Sequence, residues 1–235
     1  MNIVGLQKMT LLDYPGKVAC TVFLGGCNFR CPFCHNSELL GADTPSYMAP
    51  EALLAFLEKR KGILEGVCIT GGEPTLQKDL PQLLRAIKAL GYPIKLDTNG
   101  SHPHLLRSLV EEGFVDYVAM DIKNSPDHYG PTTGLAAPDL QSLEESVRFL
   151  LSGAVDHELR TTVVLPLHSE ESVRQMGQWL YALNHSQKVP QLYLQPFVDR
   201  DTVAAAGLSA PSAGELDAFV SVLTPFVEFV KVRGI

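Results

Sequence analysis

Three cysteines within eight residues carry the most pointed chemistry in the chain. Cys27, Cys31 and Cys34 stand in the string Cys-Asn-Phe-Arg-Cys-Pro-Phe-Cys, a C-x3-C-x2-C spacing. Three thiolates on one compact loop can each hold one iron of a cubane [4Fe–4S] cluster. The fourth iron then lacks a protein ligand, and an open metal position is what a catalytic centre needs. Gly25 and Gly26, just ahead of the loop, let the backbone turn tightly around such a group. Two other readings stay open at this point. A structural zinc site wants four ligands, with Cys20 or His35 as the fourth. Cys20, however, falls inside a predicted strand, and His35 adjoins Cys34, which makes shared coordination awkward. A one-electron carrier of the ferredoxin kind normally uses four cysteines per cluster. Cys20 and Cys68 are expected as small core residues. Five cysteines, an odd number, make a poor disulfide framework.

The elements that must position this loop are short apolar segments alternating with amphipathic ones. Predicted strands are Val18–Leu24, Gly66–Thr70, Ile94–Asp97, Tyr117–Asp121, Leu159–Val164 and Leu192–Gln195, several of them apolar on both faces. Between them lie helical patterns. One places Leu80, Leu83, Leu84, Ile87 and Leu90 on one face and stops at Gly91. Another runs through Leu105, Leu106, Leu109 and Val110 and ends near Gly113. Others are expected around 50–61, 139–152, 170–184 and 213–224. Six strand–helix repeats imply a parallel α/β sheet with right-handed crossovers. Alternation alone leaves two closures, a doubly wound open sheet or a full or partial barrel. The unusual residues gather after strand ends. Cys27 follows the first strand, Gly71-Gly72-Glu73-Pro74 the second, and Asp97-Thr98-Asn99-Gly100 the third; Asp121-Ile122-Lys123 ends the fourth, and Gln195 the sixth. In parallel α/β folds that rim binds ligands, so these clusters are expected to form one site.

Whole-chain properties bound the rest. The 235 residues suffice for a single domain, 1–235, and 46% hydrophobic with 19% charged residues describe a globular protein. A net charge of −7 argues against a general nucleic-acid or membrane-surface binder. Neither a signal peptide nor a membrane span is expected, which reads as a cytoplasmic protein.

With these residues in view, the sequence resembles the radical S-adenosylmethionine (radical SAM) superfamily. The likeness lies in the C-x3-C-x2-C loop with Phe33 before its last cysteine, and in Gly71-Gly72-Glu73-Pro74. Asp13-Tyr14-Pro15-Gly16 and the string from Gly26 to Asn36 further resemble glycyl-radical-enzyme activases, notably the anaerobic ribonucleoside-triphosphate reductase activating proteins. The resemblance runs from about residue 3 to 200. It implies a partial (β/α)6 TIM-like barrel and one [4Fe–4S] cluster on Cys27, Cys31 and Cys34. It also implies S-adenosyl-L-methionine chelating the open iron, and reductive cleavage to methionine and a 5′-deoxyadenosyl radical. That radical would take a hydrogen atom from a glycine of a partner glycyl radical enzyme of the ribonucleotide reductase or pyruvate formate-lyase kind. By the same resemblance Gly71, Gly72 and Glu73 bind the cofactor's amino group. Asp97, Thr98 and Asp121 hold a monovalent cation near its carboxylate, Phe33 and Arg160 contact the cofactor, and Lys123 contacts the cofactor or the substrate peptide. Gln195 is expected at its ribose or adenine. The resemblance implies a flavodoxin or ferredoxin as electron donor and a monomer. Only two cysteines remain, which excludes the activase subtypes with a second cluster. Rival readings are a small-molecule enzyme of the same superfamily, such as a 7-carboxy-7-deazaguanine synthase-like protein, and a zinc-stabilised binding module. The Cys-His-Asn continuation and Asp-Tyr-Pro-Gly favour the activase.

Overall fold

The structure is a computed structural model that describes residues 1–41, 44–203 and 205–234. Its residues form two compact units: Met1–Asn28, Glu38–Ala119 and Ala154–His157 in the first, and Phe29–Ser37, Met120–Gly153 and Glu158–Ile235 in the second.

The first unit contains β1 (Ile3–Thr10), β2 (Ala19–Leu24), β3 (Gly66–Gly71) and β4 (Ile94–Thr98), with helices α1 (Pro50–Glu58), α2 (Leu80–Ala89) and α3 (Pro103–Glu111). β1 is antiparallel to β2, whereas β2, β3 and β4 run parallel, with Thr21 level with Cys68 and Cys68 level with Lys95. β2 and β3 are buried on both faces, as strands covered by helices must be. α2 buries Leu80, Leu83, Leu84 and Ile87 along one stripe. Each of the three helices carries proline in its first turn, where the missing N–H has no helical acceptor anyway.

The second unit contains α4 (Pro126–Thr133), α5 (Leu140–Leu151), most of β6 (Asp156–Val163), α6 (Glu170–Leu183), β7 (Val189–Pro196), α7 (Ala213–Leu223) and β8 (Val227–Val232). β6, β7 and β8 are parallel, Arg160 lying opposite Tyr193 and Tyr193 opposite Lys231. Ser169 with Ser172, and Ser212 with Glu215, close capping boxes that fix where α6 and α7 begin. β5 (Tyr117–Asp121) contributes to both units; the strand order is β1-β2-β3-β4 within the first and β6-β7-β8 within the second. No helix among the described residues is long and apolar enough to cross a membrane.

All six expected strands and all six expected helices are present, and the α/β class holds. Two strands and one α-helix among the described residues go beyond the expectation. β1 is half exposed and shows no clean alternation. β8 leaves Phe229 exposed at an edge. α4 contains Gly130 and Pro131, the two residue types that argue most strongly against a helix.

Candidate active site

In the first unit the loop that begins at Cys27 is tied by its main chain to the turn after β3. Gly72 N donates to Leu24 O and Glu73 N donates to Gly26 O, both at 2.8 Å. The glycine pair is a requirement of that contact. A Cβ on Gly72 would overlap the carbonyl of Gly26, and one on Gly71, whose φ is +119°, would overlap the backbone of Leu24. Gly26 itself turns with φ +85°. The carboxylate of Glu73 is 1% exposed and faces inward. Its Oε1 accepts from Thr75 N at 3.1 Å, Thr75 Oγ1 at 2.5 Å and Thr98 Oγ1 at 2.7 Å; Oε2 accepts from Asn99 N at 2.6 Å. Burial pushes this carboxyl up, and the donors pull it back only in part. Thr98 is therefore committed to Glu73. Asp97 pairs with Lys95, a lysine only 2% exposed, and its Oδ1 lies 3.8 Å from the Cys68 sulfur. Cys68 and Cys20 are both fully buried, and burial holds the Cys20 thiol up at about 12, so that it stays protonated.

The second unit holds Cys31 and Cys34. The Cys34 amide donates to Cys31 O at 3.1 Å, a tight turn. Between them Phe33, 4% exposed, packs with Val164 and Phe197, against which Cys31 and Leu167 also rest. His35 stacks on Phe197 at 5.6 Å, with 26° between the rings. Burial lowers its pKa, and its buried Nε2 has no hydrogen-bond partner among the described residues. α4 supports the loop from behind. Arg30 N donates to Thr133 O at 2.8 Å, and Phe29 meets Tyr129 edge-on at 6.5 Å. Gly134, with φ +70°, sits where a Cβ would overlap the Arg30 carbonyl.

A charge triad follows β5. Arg160 Nε donates to Asp121 Oδ1 at 2.5 Å and Lys123 Nζ donates to Asp121 Oδ2 at 2.9 Å. Burial alone would raise the Asp121 carboxyl, but the guanidinium and ammonium hold it far below the usual carboxylate range. Burial likewise opposes the charge on Lys123, which Asp121 and Cys31 hold above its ordinary value. The ammonium lies 5.9 Å from the centre of the Phe33 ring. One carboxylate and two cations leave the triad with one net positive charge. Gln195 stands in β7, level with Thr162 of β6.

The structure thus brings Glu73 together with Thr98, and Asp121 together with Lys123 and Arg160. Several contributors carry no assignment from the sequence. Asn99 lay in a recognised string but lacked a role, and His102 and His168 show no metal spacing. In the structure His168, 2% exposed, reaches Lys123 O through Nε2 at 2.9 Å, and burial lowers its pKa. Among the described residues no three His, Cys, Asp or Glu side chains gather as a metal-binding set, and no disulfide joins the five cysteines. The donor chemistry nevertheless fits an iron–sulfur cluster. Three soft thiols on one loop are only half buried, while the two others are core residues and one of them is locked as a thiol. The same burial leaves a zinc site without Cys20 as its fourth ligand.

Known proteins resemble this chain along most of its length. A family model described as the Radical SAM superfamily matches residues 21–180. A protein of Methanocaldococcus jannaschii, provisionally named a glycyl-radical enzyme activating enzyme, is 29% identical over 99% of this chain and 96% of its own. A pyruvate formate-lyase-activating enzyme of Clostridium pasteurianum is 27% identical over 81% of each. The fold resembles a domain of a pyruvate-formate lyase-activating enzyme from Bacteroides vulgatus, with a TM-score of 0.58 and 16% identity over 72% of this chain and 99% of that one. The expected fold class, a partial (β/α)6 barrel of this type, stands.

Proposed function

The chain belongs to the radical SAM superfamily, and from that premise we propose that it activates a glycyl radical enzyme by taking a hydrogen atom from a glycine of that partner. The observation that carries the proposal is the main-chain clamp between Gly72-Glu73 and Leu24-Gly26, which sets a cofactor turn directly against the first cysteine of a C-x3-C-x2-C loop. Cys27, Cys31 and Cys34 are the residues to hold one [4Fe–4S] cluster, and the whole chain, 1–235, serves as one catalytic domain. When bound, the cluster and S-adenosyl-L-methionine supply one-electron reductive cleavage of the cofactor's carbon–sulfur bond.

The chain's own residues orient that chemistry. The turn at Gly71-Gly72-Glu73 offers peptide groups to the cofactor's ammonium, held in place because Glu73 is anchored by four hydrogen bonds. The net positive Asp121–Lys123–Arg160 triad suits the cofactor's carboxylate. Phe33, packed on Val164 and Phe197, gives the loop an apolar flank that excludes water. A flavodoxin or ferredoxin serves as electron donor to a cytoplasmic monomer that needs neither nucleic acid nor membrane; the acidic net charge supports the last point.

The test is anaerobic reconstitution with iron and sulfide, then reduction with S-adenosyl-L-methionine present. A brown protein that releases 5′-deoxyadenosine, and that raises a glycyl radical signal in an added glycyl radical enzyme, is the expected result. A colourless, zinc-loaded protein that leaves the cofactor whole would overturn it. Cleavage that never yields a protein radical would redirect the reading to a small-molecule substrate.

A further inference from the structure

Asn28 lies inside the cysteine loop, one residue after Cys27, and both ends of its side-chain amide are engaged. Its Oδ1 accepts from Asn99 Nδ2 at 2.8 Å, and its Nδ2 donates to Ser101 Oγ at 2.9 Å. Asn99 is 6% exposed and donates its own backbone N–H to Glu73 Oε2 at 2.6 Å. Ser101 continues in the other direction: its Oγ is 3.1 Å from His102 Nδ1, which is also 3.1 Å from Thr75 Oγ1. Thr75 Oγ1 donates to Glu73 Oε1 at 2.5 Å. The hydroxyl of Thr75 has a single proton, and with that proton given to Glu73 the contact to His102 requires the imidazole to donate from Nδ1, its one N–H being shared between Thr75 Oγ1 and Ser101 Oγ. The path closes on itself: Glu73, Thr75, His102, Ser101, Asn28, Asn99 and back to Glu73. Ser101 N, donating to Asn99 Oδ1 at 3.0 Å, braces it across the middle.

This ring joins three segments far apart in the chain. They are the cysteine loop, the glycine turn after β3 and the turn between β4 and α3. Asn28 is the only member on the cysteine loop, so every side-chain link in the ring between that loop and the other two turns passes through its one amide. We propose that Asn28 is a positioning residue for S-adenosyl-L-methionine: it holds the first cysteine's loop in fixed register with the Gly71-Gly72-Glu73 turn, so that metal position and amino-group cradle are presented as one rigid unit. The proposal rests on the radical SAM reading above. Its chemistry is that of a preorganised site, in which side chains locked by one another spare the ligand the cost of ordering the loops.

The test compares the reconstituted wild-type protein with Asn28→Leu, Ser101→Ala and the double variant. The readouts are iron and sulfide content and the dissociation constant of S-adenosyl-L-methionine. Asn28→Leu keeps the volume and removes both hydrogen bonds, so about tenfold weaker cofactor binding is expected with iron content unchanged, the scale of one to two hydrogen bonds lost. Ser101→Ala breaks one link and is expected to cost about threefold. The double variant is expected to bind no more weakly than Asn28→Leu alone, because the path is already open. At saturating cofactor the cleavage rate of all three stays within about twofold of wild type, since no reacting group is touched. Should Asn28→Leu lose its cluster, Ser101→Ala carries the test alone. Variants that bind the cofactor within twofold of a binding wild type overturn the role of Asn28 and leave the enzyme assignment intact. So do losses in the two single variants that multiply in the double. A wild type that takes up neither cluster nor cofactor overturns the assignment itself and this proposal with it.

Discussion

Glu73 and Asp121 are both carboxylates withdrawn from water, and the protein solves the same electrostatic problem twice by different means. Glu73, in the first unit, is surrounded by four uncharged donors from Thr75, Thr98 and Asn99, with no cation among the described residues within hydrogen-bonding reach. Its pKa rises because hydrogen bonds from neutral groups do not offset the desolvation of a charge. Asp121, in the second unit, is gripped by Arg160 and Lys123, and its pKa falls. The difference shows what each site is built for. A carboxylate held by backbone amides and hydroxyls fixes loop geometry, whereas one held by two cations fixes charge and leaves an excess of one positive.

The sharpest way to separate framework from chemistry uses the cysteines. Cys31→Ala is expected to abolish iron uptake on reconstitution, while Cys68→Ala, in the fully buried wall of β3, keeps it nearly intact. Iron and sulfide analysis of both variants reads the result directly. Equal loss in the two would break the three-cysteine assignment.

Next in size come the two carboxylates themselves. Asp121→Asn leaves Arg160 and Lys123 facing each other without their counter-charge, and is expected to cost about 3 kcal/mol, roughly 10 °C in Tm for a chain of this length. Glu73→Gln preserves shape but turns an amide N–H₂ toward the Asn99 N–H or the threonine donors. Its expected cost is smaller, about 2 kcal/mol. Denaturant unfolding of the metal-free proteins measures both. A Glu73→Gln loss exceeding that of Asp121→Asn would mean that the neutral network, rather than the ion triad, is the stiffer anchor.

Much of this comparison could be read from the sequence, and its limits have physical causes. The six central strands were legible because double-sided burial makes continuous apolar runs, and α2 because its leucines keep the helical period. α4 was not legible, since Gly130 and Pro131 outweigh any local signal, yet it is the element whose Thr133 carbonyl and Gly134 support the cysteine loop. The strings around Cys27, Glu73, Thr98 and Asp121 stand out in the sequence. Which side chain answers which did not follow from them. Thr98 and Asp97 are adjacent in sequence, but alternation along β4 sends one to Glu73 and the other to Lys95. Asn28 and His102 gave no signal because hydrogen-bond partners 27 to 73 positions apart leave no spacing pattern to recognise.

The smallest effect is also the most diagnostic, because the two carboxylates should respond to pH with opposite sign. A folded-state pKa above the unfolded one means that the native state binds protons more readily. The stability that Glu73 contributes relative to Gln is therefore complete below its ordinary value of 4.5 and is lost as pH rises through the raised native value. Asp121 behaves in reverse: its contribution relative to Asn is present above the ordinary 3.8 and is lost as pH falls below that value toward the depressed native one. Neither slope can exceed about 1.4 kcal/mol per pH unit, the limit for a single proton. Unfolding midpoints of wild type, Glu73→Gln and Asp121→Asn, taken from neutral pH down to the acid limit of the fold, should thus show the gap to Glu73→Gln widening in acid. The gap to Asp121→Asn should narrow below pH 3.8. If both gaps moved the same way, the neutral donors around Glu73 would be acting electrostatically like the cations around Asp121, and the division between a framework carboxylate and a charge-setting one would fail.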